Sequence, residues 1–251
     1  MNVKDLEKKR ELNALDQGSQ NSKTFDFLAH DINNIFNNVR SSAELCKIFL
    51  GDSTQINKVH EQLALIAGQI ARGIKLISNV RNLSQLNKLN SLTKPIDIIK
   101  PLHRAINFVQ KNFRDKKLNI KVNPFSEKIY VEANELLVEV FENLLINAVL
   151  HNLNDSVDIT IQVTQSLKEN RNHIKIEFID NGIGITDDRK EWIFNSSFIK
   201  DNHGKGMGFG LTLVKEIIDR YGGFIWVEDR IKGDYNQGSR FVILLQESIQ
   251  N

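Results

Sequence analysis

The chain has 251 residues, 41% of them hydrophobic and 25% charged, with a formal charge of +2. That is the composition of a globular protein with one large core or two modest ones; it excludes a disordered chain and leaves no broad basic field, so neither nucleic acid nor membrane contact is expected. The single cysteine, Cys46, excludes a disulfide framework and a thiolate metal cluster and is expected to be a buried, inert thiol.

No run approaches the roughly 20 apolar residues of a membrane span, and the N-terminus "MNVKDLEKKRELNAL" is charged rather than signal-like, so the expected location is cytoplasmic. Residues 1–22 read as a charged linker or coiled-coil entry. In residues 23–92, Leu28, Ile32, Ile35, Val39, Ser42, Cys46 and Leu50 recur at helical spacing, as do Ile56, Val59, Leu63, Ile66, Ile70, Gly73, Ile77 and Val80. Two amphipathic helices are predicted, with "LGDST" supplying a glycine stop and then N-cap candidates, so the pair folds back as a hairpin. A lone hairpin cannot shield both apolar stripes, which predicts a homodimer closed as a four-helix bundle.

All three prolines lie at or beyond Pro95, and glycines crowd between Gly182 and Gly210, so a second domain is expected over 93–251. It alternates strand-like "PIDII", a helical run from Leu102 to Phe113, "LNIKV", "KIYVEA" and a long helix from Glu135 to His151. Then come "SVDITIQVT" and "HIKIEFID", a glycine-rich stretch, a helix from Gly208 to Tyr221, and the strands "GFIWVED" and "SRFVILLQ". The strands are expected to be mostly antiparallel with helices on one face, an α+β sandwich.

Chemistry-bearing residues concentrate in this second half. In "DNGIGI", Gly182 and Gly184 let the backbone approach a ligand, and Asp180 can accept a hydrogen bond from an exocyclic amine; an ordinary turn is the competing reading. In "HGKGMGFGL", Gly204, Gly206, Gly208 and Gly210 alternate strictly up to Leu211 at a predicted helix start, where free N–H groups and the helix dipole suit a phosphate. Asn143 and Asn147 lie one turn apart on the long helix; they are either solvated surface or amide ligands to magnesium on a phosphate. Leu137, Val140, Phe141, Leu144, Leu145 and Ala148 form its apolar face.

In chain order, "HDINN", "NLLINA", "DNGIGI" and "GKGMGFGL" resemble the H box, N box and two glycine boxes of sensor histidine kinases, and "IFNSSF" resembles the segment between the glycine boxes. The resemblance runs from about residue 25 to the C-terminus. It implies a dimerisation and phosphotransfer hairpin followed by an α/β-sandwich ATP-binding domain of the gyrase, chaperone, histidine-kinase and mismatch-repair type. It further implies ATP and Mg2+ as cofactors, Asp180 reading the adenine amine, Asn147 holding the metal and Asn143 assisting it. The glycines of both boxes, with Lys205 in the lid, would wrap the triphosphate. His30 would be the phosphoacceptor, Asp31 the acceptor of its proton, and Asn34 the residue that orients water for dephosphorylation of a response-regulator receiver domain. His30, Asn33, Asn34 and Asn37 fall together on a helical wheel, opposite Leu28, Ile32, Ile35 and Val39.

The chain departs from the family pattern at Ile35, where many members carry proline and a helix bend, and at Leu150, where many carry a phosphate-binding lysine that Lys205 or Lys200 would replace. A protein-serine kinase of the same ATPase superfamily and a phosphotransfer scaffold with a decayed nucleotide site are the rival functions. The H-D-x-x-N sequence on a helical hairpin argues against the first, the intact Asp180 and glycine boxes against the second.

Overall fold

The structure is a computed structural model that describes residues 32–88, 93–123, 128–168, 171–194 and 208–248. Two units are distinguished, a helical one that includes the described residues through Arg81 and a mixed one of Asn82–Asn195 and Gly208–Asn251.

In the helical unit, α1 (residues 32–49) runs unbroken through Ile35 and is followed by a tight turn and α2 (Ile56–Lys88). Asp52 is the residue of "LGDST" that caps: its carboxylate accepts from the Thr54 N–H at 2.9 Å, the Thr54 hydroxyl at 2.7 Å and the Gln55 amide at 2.8 Å. Those hydrogen bonds, with Gln55 foremost, hold its carboxyl down at about 2. Cys46 is buried, as expected of an inert thiol.

The predicted α2 stripe is only partly the one that packs inside the chain. Val59 and Leu76 are buried and Gln62, Ile66, Gln69 and Gly73 half-buried, with Gly73 facing the Ile35 side chain, whereas Leu63, Ile70 and Ile77 are 50%, 51% and 63% exposed. The helix carries two adjoining stripes, an inner one that includes two glutamines and an outer apolar one, and a single 3–4 repeat read along the chain merges them. On α1, Ile35, Ser42 and Cys46 are buried, Asn33 and Asn37 are exposed, and Asn34 is half-buried.

The mixed unit is built from β1 (Lys94–Asp97), α3 (Ile99–Asn112), β2 (Lys117–Val122), β3 (Tyr130–Ala133), α4 (Leu137–Leu150), β4 (Ser156–Lys168) and β5 (Arg171–Asp180). It continues with α5 (Asp187–Lys190), α6 (Gly208–Arg220), β6 (Phe224–Ile231) and β7 (Asp234–Gln246). The five-stranded sheet has the order β2-β4-β5-β7-β6; only β2 and β4 pair in parallel, and β1 and β3 form a separate antiparallel pair. Helix α4 lies between α3 and α6 and packs on β4 and β5. Its six predicted apolar residues are all buried, against Ile159, Ile161, Ile174, Ile176 and Phe178 of the sheet in one core. The predicted α+β sandwich is thus the observed fold.

Helix α3 starts at Ile99, three residues before the predicted Leu102. Pro101 sits in its first turn, where no N–H is needed for an intrahelical bond, and Asp97 accepts the Ile99 N–H at 3.1 Å. Asn134 does the same for α4, accepting the Leu136 N–H at 3.0 Å while its oxygen also takes the Tyr221 hydroxyl at the end of α6. Among the described residues no helix is long and apolar enough to cross a membrane.

Candidate functional site

Asp180 is the last residue of β5, the central strand. Alternation along a strand puts it on the same face as Ile174, Ile176 and Phe178, so its carboxylate enters the edge of the core and is only 5% exposed. Such a group needs partners. Its Oδ1 accepts the Gly182 N–H at 2.8 Å and the Ser239 N–H at 3.3 Å, and its Oδ2 accepts the Ser239 hydroxyl at 2.6 Å. Burial pushes the Asp180 carboxyl above the ordinary carboxylate value, and the three hydrogen bonds and Arg230 oppose that rise. Each carboxylate oxygen has two acceptor positions, so Oδ2 keeps one open for a further donor.

The turn after Asp180 requires glycine. Gly184 has φ +68°, and a Cβ there would lie 1.5 Å from the Tyr235 carbonyl oxygen. A Cβ at Gly182 would lie 2.6 Å from the His151 carbonyl oxygen, because the turn is drawn onto the end of α4, where the Ile183 N–H donates to that same oxygen at 3.0 Å.

Helix α4 carries Asn143 and Asn147, and its C-terminal end meets the glycine turn at His151. Asn143 is not on a solvated face: it is 5% exposed, and its amide nitrogen donates to the Glu139 carbonyl at 2.8 Å, which leaves the amide oxygen as the group with chemistry to offer. Asn147 is half-buried, and its backbone carbonyl accepts the His151 N–H that closes the helix. Leu150, in place of the family's lysine, is exposed. Gly208 is the first residue of α6, Gly210 is buried, and Leu211 packs against the core. His30, Asp31, Lys200, Gly204, Lys205 and Gly206 lie outside the described residues.

Ser239 is not singled out by the sequence, where "SRFVILLQ" reads only as a strand. A signal for it exists: it shares strand parity with the buried Phe241, Ile243 and Leu245, and a hydroxyl on the core face must find a partner. Asn181 and Asn152 are likewise silent in the sequence; they link the glycine turn to the segment leaving α4.

An adenine nucleotide fits these groups. A buried carboxylate keeps one acceptor position for an exocyclic amine, and the backbone beside it carries no side chains at Gly182 and Gly184. An amide oxygen is also the kind of hard ligand that suits a magnesium ion retaining most of its waters.

Residues 132–249 match the family described as histidine kinase-, DNA gyrase B- and HSP90-like ATPases. Cyanobacterial phytochrome B of Nostoc sp. is 25% identical over 238 residues, 93% of this chain and 30% of its own length. Adaptive-response sensory kinase SasA of Synechocystis sp. is 31% identical over 151 residues, 59% of this chain and 37% of its own length. The chain thus spans about a third of each relative. The histidine kinase AdeS of Acinetobacter baumannii superposes with a TM-score of 0.52 at 17% identity, over 88% of this chain and 98% of that one, a likeness of fold. With the buried aspartate, the glycine turn and the asparagine-bearing helix in their places, residues 132–249 form an ATPase domain of the histidine kinase-, DNA gyrase B- and HSP90-like family, and the chain as a whole is similar to sensor histidine kinases.

Proposed function

We propose that the protein is an ATP-dependent protein-histidine kinase that phosphorylates His30 and passes the phosphoryl group to an aspartate on a separate response-regulator receiver domain. It works in the cytoplasm as a homodimer, with residues 23–92 as the phosphotransfer hairpin and 93–251 as the catalytic domain, and it also dephosphorylates that regulator. The observation that carries the reading is the buried Asp180 carboxylate, held by Ser239 and Gly182 with one acceptor position left for adenine.

In the autophosphorylation step the unprotonated imidazole nitrogen of His30 forms a bond to the γ-phosphorus as the bond from that phosphorus to the β,γ-bridging oxygen breaks and ADP leaves. Asp31 draws the proton from the other ring nitrogen. Asn147 would hold a Mg2+ ion, which would neutralise phosphate charge, and the remaining work is positioning by the glycine turn, α4 and the start of α6. Asn34, on the next turn of the same helix, orients the water that hydrolyses the regulator's aspartyl phosphate. The exposed Leu63, Ile70 and Ile77 support the dimer, since a second copy is the partner that would cover them.

The test is labelling of the intact chain with γ-labelled Mg-ATP. The label is expected to be acid-labile and alkali-stable, as for phosphohistidine, and to vanish in His30→Ala. Full labelling of that variant, or an alkali-labile label, overturns the assignment and favours a serine kinase of the same superfamily.

A further inference from the structure

Asn181 lies between the adenine-reading carboxylate and the first glycine of the turn, and its side chain points away from both. An amide group offers two acceptor positions and two donors. All four are used: Oδ1 accepts from Asn152 Nδ2 at 2.6 Å and from the Asp158 N–H at 2.9 Å, and Nδ2 donates to the Ser156 carbonyl at 3.0 Å and to Asp158 Oδ2 at 3.4 Å. Its backbone is engaged as well, the N–H donating to the Asp158 carbonyl at 3.2 Å and the carbonyl accepting from Asn154 Nδ2 at 2.5 Å. Asn152 is 1% exposed, and its own oxygen takes the Asn154 N–H at 2.9 Å.

The groups joined here are not arbitrary. Residues 151–154 continue directly from α4, which carries Asn143 and Asn147, and residues 180–184 are the glycine turn. Asp180 itself is anchored on the other side, by Ser239 of β7, and does not depend on this knot for its place. We propose that Asn181, through Asn152, is a positioning residue that fixes the distance between the adenine-reading turn and the metal-holding helix, and so sets how the two ends of one nucleotide are bound together. The inference rests on the nucleotide reading of the site given above. Misplacing one end of the site against the other weakens hydrogen bonds to the charged phosphates, a loss on the order of tenfold to a hundredfold in affinity, so the link should be visible in binding.

The experiment uses the full chain and displacement of a fluorescent ATP analogue by two competitors, Mg-ADP and metal-free adenosine. In Asn181→Ala, Mg-ADP affinity is expected to fall by about tenfold to a hundredfold while adenosine, which needs only the Asp180 end, stays within about twofold. Asn152→Ala should behave alike, and the double variant should be no worse than the weaker single, since both remove the same link. A parallel loss of both competitors would show a merely structural residue and overturn the proposal, as would unchanged Mg-ADP affinity or additive losses. If Asn181→Ala does not fold, Asn181→Ser, which keeps one donor and an acceptor, and Asn152→Ala are judged by the same ratio. A wild-type chain that binds neither competitor refutes the nucleotide reading, and this link with it, a result distinct from a failure confined to the variants.

Discussion

Replacing Asp180 by asparagine changes one atom's chemistry in a site where every other contact can persist. The amide oxygen keeps the Gly182 and Ser239 N–H groups, and the new NH2 takes the place of Oδ2, where the Ser239 hydroxyl turns round to accept from it. The open acceptor position becomes a donor facing the donor of an adenine amine. Losing a hydrogen bond to a charged acceptor is worth about 1.5–3 kcal/mol, so Mg-ADP affinity should fall by roughly tenfold to a hundredfold or more at 1.4 kcal/mol per decade. Stability should move the other way. Burial raises the Asp180 carboxyl, so the folded state favours its protonated form; the stability it contributes is complete below the ordinary value of 3.8 and is lost as pH rises through the higher folded value. The ligand-free Asp180→Asn protein should therefore melt at or above wild type at neutral pH, with the difference shrinking toward pH 4. Calorimetric titration with Mg-ADP and thermal melts across that pH range measure both effects. Binding within about threefold of wild type would sink the adenine assignment, and a melting point several degrees lower at neutral pH would refute the account of the buried carboxylate.

Gly184→Ala should lower the melting temperature by about 4 °C or more and abolish nucleotide binding. The left-handed backbone alone costs an L residue about 1–2 kcal/mol, each worth about 2–4 °C in a unit of this size, and the Cβ meets the Tyr235 carbonyl oxygen. An unchanged melt would refute this. Ile70→Asp, on the exposed stripe of α2, should shift the protein from dimer to monomer in sedimentation velocity; a dimer that survives the charge places the interface elsewhere. Gly68→Ala should stabilise the hairpin by up to about 1 kcal/mol in urea unfolding, because a Cβ there meets nothing within 4 Å. A loss of stability would show that the glycine serves a contact outside the single chain.

Features that depend on the chain within a few residues are legible in the sequence alone. Gly182 and Gly184 beside Asp180, the start of α6 at Gly208, the apolar face of α4 and the end of the first hairpin helix all follow from backbone sterics and helical or strand periodicity, which act locally. What depends on partners remote in the chain is decided only by folding. Ser239, 59 residues from Asp180, becomes its hydroxyl partner because β7 pairs with β5 in one particular register. Asn143 reads either as solvated surface or as a metal ligand, and only the fold shows that it is buried. On α2, periodicity marks apolar positions without saying which neighbour each one meets, so Leu76 and Ile77, adjacent in sequence, end with one buried and the other exposed. Asn181 and Asn152 are unremarkable in a chain rich in asparagine; an amide acquires a role only when four partners surround it, and tertiary structure alone supplies them.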